Sequence, residues 1–469
     1  MLASAAYAQN EKTGAVDEIV VTATLRSMNV QDVPLAVTAI SPETLERQGV
    51  FDVRTLSSVT PGFSIQPGQN ESRATTFRIR GVGTTGNNSG LESSVGVFID
   101  GVYQSRPGVA LGDLVDLEHM EVLRGPQGTL FGRNTSAGAL TVTTRKPNLT
   151  KVEGFANATY GNYNLMNLQG GINLPVAQDL AAVRLTGAWR KRDGYVKSAT
   201  GAESYDRNRW MMRGQLYVEP TPEVSVRIIA DYAKIDEKCC DAIITRETEL
   251  QPFFAYHGLA YDGVDQVGAQ ALRNLSSNTQ QYLDGSKQWG VSGELQWDFG
   301  VAKLTSITAY RHFITDSTED DFTGLLSYSV GRHGATFPNG APRNGDEVNT
   351  FTQELRLQGL AFDNKLDWLV GAYYSNEDIG SQAVLGLGPD FQAAASAGIF
   401  GDLAGVNPVY AFTAFGNNGT PVDANGAYAV NEFSQKGKSL SLFTHNVFNV
   451  TDRVALTLTA SKSMSPSST

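Results

Sequence analysis

No run of 18 consecutive apolar residues occurs anywhere in the 469-residue chain, so no segment of it can cross a bilayer as a helix. A helical membrane protein is excluded. A membrane β-barrel is not, because barrel strands show lipid only every second side chain and average to near-neutral hydropathy. Positive charge is in deficit: 37 Lys and Arg against 48 Asp and Glu give a net charge of -11, the wrong sign for wrapping a nucleic-acid backbone. Nucleic acid is therefore excluded as a partner. The Gly-rich run GPQGTLFGRNTSAG (125–138) lacks the Gly-Lys-Ser/Thr ending that sets a lysine on phosphates. The five histidines, His119, His257, His312, His333 and His445, have no metal-ligand spacing, and no serine nucleophile elbow is present. The expectation is no enzyme, no resident metal and no permanently bound cofactor. Cysteine is scarce, and the only two, Cys239 and Cys240, are adjacent. In an exported protein they form a strained vicinal or interchain disulfide, or stay as free thiols; both readings stand.

Glycine and aromatics are abundant, with 48 Gly, 17 Tyr and 21 Phe, a composition suited to strands and turns. Residues 1–8 end in Ala6-Tyr7-Ala8, the small-x-small form of a signal-peptidase site, and read as a signal-peptide remnant. Residues 9–32 are a polar tether with one β-branched run, Asp17-Glu18-Ile19-Val20-Val21-Thr22-Ala23. Such a run on a tether cannot satisfy its own backbone groups and suits addition to a partner's sheet edge, or serves as a first strand of the next domain. Residues 33–148 combine a short helix (41–49) with Gly-punctuated strands. Within them Arg78 and Arg80 hold alternating strand positions before Gly81. Asp100-Gly101 is a hairpin signal, Arg124-Gly125-Pro126 breaks a strand, and Gly128, Gly132 and Gly138 permit tight turns.

From residue 149 the pattern becomes period two. Met166, Leu168, Gly170, Ile172 and Leu174 share one face; Arg184, Thr186, Ala188 and Arg190 oppose Val183, Leu185, Gly187 and Trp189; Trp289, Val291, Gly293, Leu295, Trp297 and Phe299 form a third apolar face. About eleven such segments start near residues 152, 163, 181, 207, 223, 287, 301, 348, 365, 438 and 453. Short turns alternate with long loops at 194–206, 236–285, 316–346 and 380–436. A soluble sandwich rarely carries all its long loops at one end, whereas a transmembrane barrel does.

The ordered motifs VPLAVTAISPETLERQGV (33–50), LSSVTPGFSI (56–65), FRIRGVG (77–83), VGVFIDGVY (95–103) and MEVLRGPQGTLFGRNTSAGALTVTTRKP (120–147) resemble the plug domain of TonB-dependent receptors, in the iron-complex receptor branch. Residues 17–23 resemble that family's TonB box. The resemblance implies a mainly β fold with a small α/β plug, set in an antiparallel transmembrane barrel of about 22 strands in the intact family. It implies that Arg78 and Arg124 face acidic side chains of the barrel wall. It also implies a monomer in the outer membrane of a Gram-negative bacterium, in contact with outer-membrane lipid and lipopolysaccharide. The inner-membrane complex containing TonB would pull on the box to drive uptake of a ferric siderophore or similar small-molecule iron complex. A carbohydrate or other small nutrient, or surface binding and signalling without transport, are the alternatives.

Loop aromatics (Phe253, Phe254, Tyr256, Tyr261; Phe391, Phe400, Tyr410, Phe412, Phe415) are suited to clasping such a ligand or to packing the loops together. The acids Glu319 to Asp321 read as solvated loop charge or a loose cation contact. With about half the family's strands and a tail, SKSMSPSST, that abandons alternation, residues 149–469 are expected to be the N-terminal half of the barrel in a fragment or frameshifted product.

Overall fold

In the computed structural model the described residues are 20–21, 26, 28–29, 31, 33, 35–50, 53–66, 75–84, 90–106, 114–132, 134–198, 203–238, 275–276, 283–317, 326–327, 345–387, 427–451 and 454–464. They form a mixed α/β domain seated against a large antiparallel wall. The first strands are β1 (Val20–Val21) and β2 (Met28–Asn29), which pair only with each other in a two-stranded sheet of their own.

The plug follows as β3 (Ala36–Ile40), α1 (Pro42–Arg47), β4 (Phe63–Gln66), β5 (Thr76–Ile79), β6 (Val95–Ile99), β7 (Val102–Gln104), β8 (Leu117–Arg124), α2 (Gly128–Phe131) and β9 (Gly138–Thr144). Ser41 caps α1, its hydroxyl accepting from the Thr44 amide at 3.3 Å, and Pro42 enters the first turn where its missing N–H costs nothing. Five strands make the central sheet in the order β3-β8-β9-β6-β7. The expected break after β8 is present, the strand ending at Arg124. Arg80 departs from expectation. The strand ends at Ile79, and Arg80 sits in a turn at φ 53 beside Gly81 at φ 79, so the two arginines do not share a strand. Leu56, Phe77, Met120, Val122 and Leu140 are at the centre of the plug core. Gly138 is required as glycine, because a Cβ there would strike the Leu123 carbonyl as β9 starts beside β8.

Eleven wall strands pair in sequence order: β10 (Glu153–Gly161), β11 (Leu165–Ala177), β12 (Ala181–Arg192), β15 (Arg207–Thr221), β16 (Val224–Lys238), β18 (Leu283–Asp298), β19 (Lys303–Ser317), β21 (Gly345–Ala361), β22 (Leu366–Leu387), β23 (Ala427–Thr451) and β24 (Val454–Met464). The intervening numbers are short loop strands: β13 (Val196–Ser198), β14 (Glu203–Ser204), β17 (Leu275–Ser276) and β20 (Leu326–Ser327), the last pairing with β22. Tight turns join β11–β12, β15–β16, β18–β19, β21–β22 and β23–β24 at one end; at the other, β10 and β11 are joined by a three-residue turn and the remaining connections are long.

The alternation reads through to three dimensions. Met166, Leu168, Ile172, Leu174 and Leu185 are exposed on the outer face, while Arg184, Arg190, Arg209 and Arg227 are buried on the inner one. The boundary of β23 differs from expectation: it starts at Ala427, not near Lys438, and Gly380 pairs with Ser434. This shortens the loop expected at 380–436 to 388–426. The added lengths of β22 and β23 include AVLGL (383–387) and AYAV (427–430), runs in which apolar and polar residues do not alternate, so period two carries no signal there. The cysteine pair, the loop aromatics named above and Glu319 to Asp321 lie outside the described residues.

Two aromatic rows bound the outer apolar face. Trp189, Trp210, Tyr232, Trp289, Tyr310, Phe351 and Tyr374 run across β12 to β22 near the loop end, with Trp210 and Tyr232 stacked at 5.0 Å. Trp297, Phe299, Trp368 and Phe448 mark the turn end. From Trp289 to Trp297 a tilted strand climbs roughly 20 Å, the height of an outer-membrane apolar band. Ile228 lies between the rows on this face. Replacing it with lysine is expected to cost about 2–4 kcal/mol of unfolding free energy in bilayers, as denaturant titration of lipid-reconstituted protein will show, against near neutrality for Ile228→Val.

Candidate coupling segment and plug docking

Of the predicted coupling residues, Val20 and Val21 are described; Asp17, Glu18, Ile19, Thr22 and Ala23 lie outside the described residues. Val20 pairs with Asn29 and Val21 with Met28, so the segment does not extend the plug sheet. Met28 packs against the second plug core cluster, around Val33, Phe98, Tyr103 and Leu123. Between the two strands Arg26 turns to the wall. Its guanidinium is 3.0 Å from Asp367 at the start of β22 and donates to the His445 carbonyl at 3.0 Å. Burial lowers the Arg26 pKa and Asp367 opposes that shift. One arginine thus fastens the tether to the turn end of the wall.

The plug itself is held by charge pairs, two of which run opposite to expectation, with the acid on the plug and the arginine on the wall. Asp116, in a left-handed turn at φ 58 just before β8, accepts two hydrogen bonds of 2.6 Å from Arg184 of β12 and a third of 2.7 Å from Thr186. Arg184 also reaches Glu153 at 3.2 Å. Asp100, in the β6–β7 turn at φ 49, accepts from the Thr144 amide (2.9 Å) and hydroxyl (2.8 Å) and lies 3.3 Å from Arg227 of β16. Arg227 donates to the Thr144 hydroxyl at 2.8 Å and to Gln215 at 2.6 Å, and Gln215 in turn donates to the Arg145 carbonyl at 3.1 Å. A third pair joins Arg106, just past β7, to Glu377 of β22 at 3.2 Å.

Apolar contacts accompany these pairs. Val102 packs on Ile307 and Ala309, and Val115 on Ala188 and Met211. At Gly101, φ 77, an added Cβ would come within 2.8 Å of Ile307, so the turn lies directly against the wall.

The predicted arginines take other roles. Arg124 donates to the Thr38 hydroxyl of β3. Arg78 lies alongside Gly83 in its own turn. Neither meets an acidic side chain of the wall among the described residues. Gly128 opens α2 and Gly132 closes it at φ 75, while Gly125 adopts φ 96 at the strand break. Sequence reading found Asp100 and Gly101 as a hairpin but missed their docking role, and it missed Arg26, Arg106 and Asp116 altogether. The available signal was the arginine at alternate positions on the wet face of β12 and β16; which plug carboxylate each meets depends on tertiary placement.

A cavity of about 470 Å³ remains between plug and wall, bordered by Asp100, Lys146, Arg227, Glu294, Glu354 and Arg356. In the plug, His119 is 3.1 Å from the buried Glu121. That bond raises the histidine pKa, with burial opposing it.

A family model described as TonB-dependent Receptor Plug Domain matches residues 29–139. The pesticin receptor of Yersinia pestis is 28% identical over 377 residues, 78% of this chain and 49% of that protein. The ferrioxamine B receptor of Salmonella typhimurium is 28% identical over 195 residues, 39% of this chain and 26% of that one. The crystal structure of the ferric yersiniabactin uptake receptor of Yersinia pestis shares the fold, with a TM-score of 0.67 at 14% identity over 92% of this chain and 61% of that one. The chain spans about half the length of the curated relatives that it matches over most of its own.

Asp116 and Arg184 are both almost fully buried, with side chains 2% and 3% exposed. Asp116→Asn leaves the buried Arg184 guanidinium with Glu153 as its remaining carboxylate partner and is expected to weaken docking by about 1.5–3 kcal/mol, seen as faster hydrogen exchange in β8 and β9. Exchange unchanged from the parent would contradict a holding role. His119 gives a pH signature. A raised folded-state pKa contributes stability fully below the ordinary value of 6.5, and that contribution fades as pH rises through the raised value. The plug should therefore lose thermal stability on going from pH 6 to 9, and His119→Gln should flatten that dependence.

Proposed function

The chain belongs to the TonB-dependent receptors of the outer membrane, and from that premise we propose that it acts in the energy-coupled uptake of a ferric siderophore or similar iron complex. The observation that carries the proposal is the combination of a lumen occupied by a docked plug with a coupling strand paired outside the plug sheet. A plug held by three buried ion pairs does not yield to a solute's thermal motion, since breaking one such pair costs several kcal/mol. Work has to enter from outside. The chain offers no nucleotide-binding motif, so the work comes through Val20–Val21.

Those two residues exchange β2 for the edge strand of a periplasmic energy-transducing partner, TonB with its inner-membrane complex. Backbone hydrogen bonds are lost to β2 and regained in the partner, so the exchange is nearly neutral. Pulling then first releases Arg26 from Asp367. Next it loads β3, an edge strand of the plug sheet that can peel from β8, while Asp100 and Asp116 keep β6 to β9 on the wall. The cavity beside Asp100 widens into the path.

An iron complex is assigned as the solute because the similar structure is an uptake receptor for a ferric complex and one similar protein is a ferrioxamine B receptor. The complex is cargo and not a resident cofactor. A carbohydrate cargo, or surface binding without transport, remains as an outcome of the test.

Deleting residues 17–23 in the receptor as expressed in its own outer membrane is expected to abolish accumulation of a radiolabelled ferric chelate while surface binding stays within about two-fold. Undiminished accumulation would refute coupling. Accumulation of labelled sugar but not of iron chelate would refute the cargo, and binding without accumulation by the parent would refute transport.

A further inference from the structure

The cavity of about 470 Å³ between plug and wall gathers hydrogen-bond donors that the fold leaves unanswered. The hydroxyl of Thr141, on β9, is buried and has no hydrogen-bond partner among the described residues. Arg26 Nε is likewise buried and unbonded, although another nitrogen of the same guanidinium reaches Asp367. On β21, Arg356 Nε lies 3.0 Å from Glu354 without being aimed at it in a hydrogen bond. All three residues border this one cavity. Buried polar groups are nearly always partnered, so three of them on one space describe what that space is suited to hold.

The charges agree. Lys146, just past β9, and Lys303, which opens β19, also border the cavity and make no ion pair among the described residues. The carboxylates there are already answered: Asp100 by Thr144 and Arg227, Glu294 by the Gln296 amide, and Glu354 by the charge of Arg356. Guanidinium and ammonium groups carry donors only. What the cavity has left to offer is positive charge and donor hydrogens, contributed by plug, tether and wall together. The ring of Phe443 closes one side, standing where Gly371, the register partner of Arg356, would carry a side chain. The volume is several times that of a bare inorganic anion and falls in the range of about 300–1,000 Å³ that takes small organic ligands.

We infer that this cavity is a binding site for a small polycarboxylate anion, and, resting on the uptake reading above, that the cargo is a ferric complex of net negative charge with carboxylate oxygens on its surface. A carboxylate held there takes charge-assisted hydrogen bonds from Arg356 on the wall and Arg26 on the tether, which are roughly twice as strong as neutral ones. Thr141 supplies a third bond from the plug. A cationic complex meets the repulsion of Lys146 and Lys303 at the same place. Pulling on the tether withdraws Arg26, so the step that opens the path also removes one of the groups holding the ligand.

The test labels the lysines themselves, in the whole chain held in phosphatidylcholine nanodiscs that leave both faces accessible. Acetylation of Lys146, Lys303 and the exposed Lys436 is followed by mass spectrometry with citrate, or with triethyl citrate, which keeps the skeleton without the charge. Citrate at about ten times its half-protecting concentration should slow Lys146 and Lys303 about ten-fold by mass action and leave Lys436 unchanged. Triethyl citrate should slow none of them. Thr141→Val/Lys303→Gln should raise the half-protecting concentration read at Lys146 by about ten-fold, the effect of losing hydrogen bonds to a charged ligand. No protection by citrate in the parent would overturn the site without recourse to any variant, as would a double variant protected like the parent. Protection by inorganic phosphate equal to that by citrate would overturn the polycarboxylate assignment. In cells, an anionic ferric tricarboxylate chelate should accumulate in preference to a cationic ferric trihydroxamate, and the reverse preference would overturn the cargo class. Accumulation of neither refutes uptake alone, and the nanodisc result then decides the site.

Discussion

Asp116 and Arg184 meet in a narrow space between plug and wall, and the rest of the arrangement follows from the need to satisfy groups of that kind. A strand wall with lipid on one side must put its polar residues on the other. Arg184, Arg190, Arg209 and Arg227 therefore point inward and are buried. Buried guanidinium groups need acceptors. The plug supplies two of them on turns at positive φ, Asp100 and Asp116, which project carboxylates beyond the ends of its strands. Since Asp100 also accepts from Thr144, the same side chain that docks the plug ties the β6–β7 turn to β9. Docking and internal folding of the plug are coupled through one residue.

The coupling segment obeys the opposite logic. Its two-stranded sheet with β2 is small, pairs with no other strand among the described residues, and is tied to the wall by Arg26 at Asp367 and the His445 carbonyl. An isolated pair of that size contributes little stability of its own, so it serves as a rest position. Under the proposed coupling, force applied at the N-terminus would meet the two-residue pairing and the arginine clip first, edge strand β3 second, and the ion pairs around Asp100 and Asp116 last.

Much of the fold was legible in the sequence because period two is a strong signal wherever one face meets lipid and the other meets a polar interior. Met166 to Leu174 and Trp289 to Phe299 announced their outward faces. The signal fails where alternation fails, at AVLGL (383–387) and AYAV (427–430), which is why β22 and β23 run well past their expected ends. The plug was legible through its motifs, but the roles of its charges were not. Arg78 and Arg124 stand in the most recognisable stretches, yet Arg124 serves the plug's own β3–β8 edge. The residues that dock, Asp100 and Asp116, are marked only by turn chemistry, and their partners lie between 68 and 127 positions away in sequence. No local pattern specifies such a pairing.

The central claim is that Val20–Val21 must leave β2 before solute can pass. Val21 and Met28 are register partners, so Val21→Cys/Met28→Cys, with Cys239 and Cys240 replaced by serine, staples the two strands. Accumulation of a labelled ferric chelate by cells carrying this variant is the direct measurement. The oxidised form should bind chelate and accumulate none, with accumulation returning on reduction; equal accumulation in the oxidised and reduced forms would contradict the account.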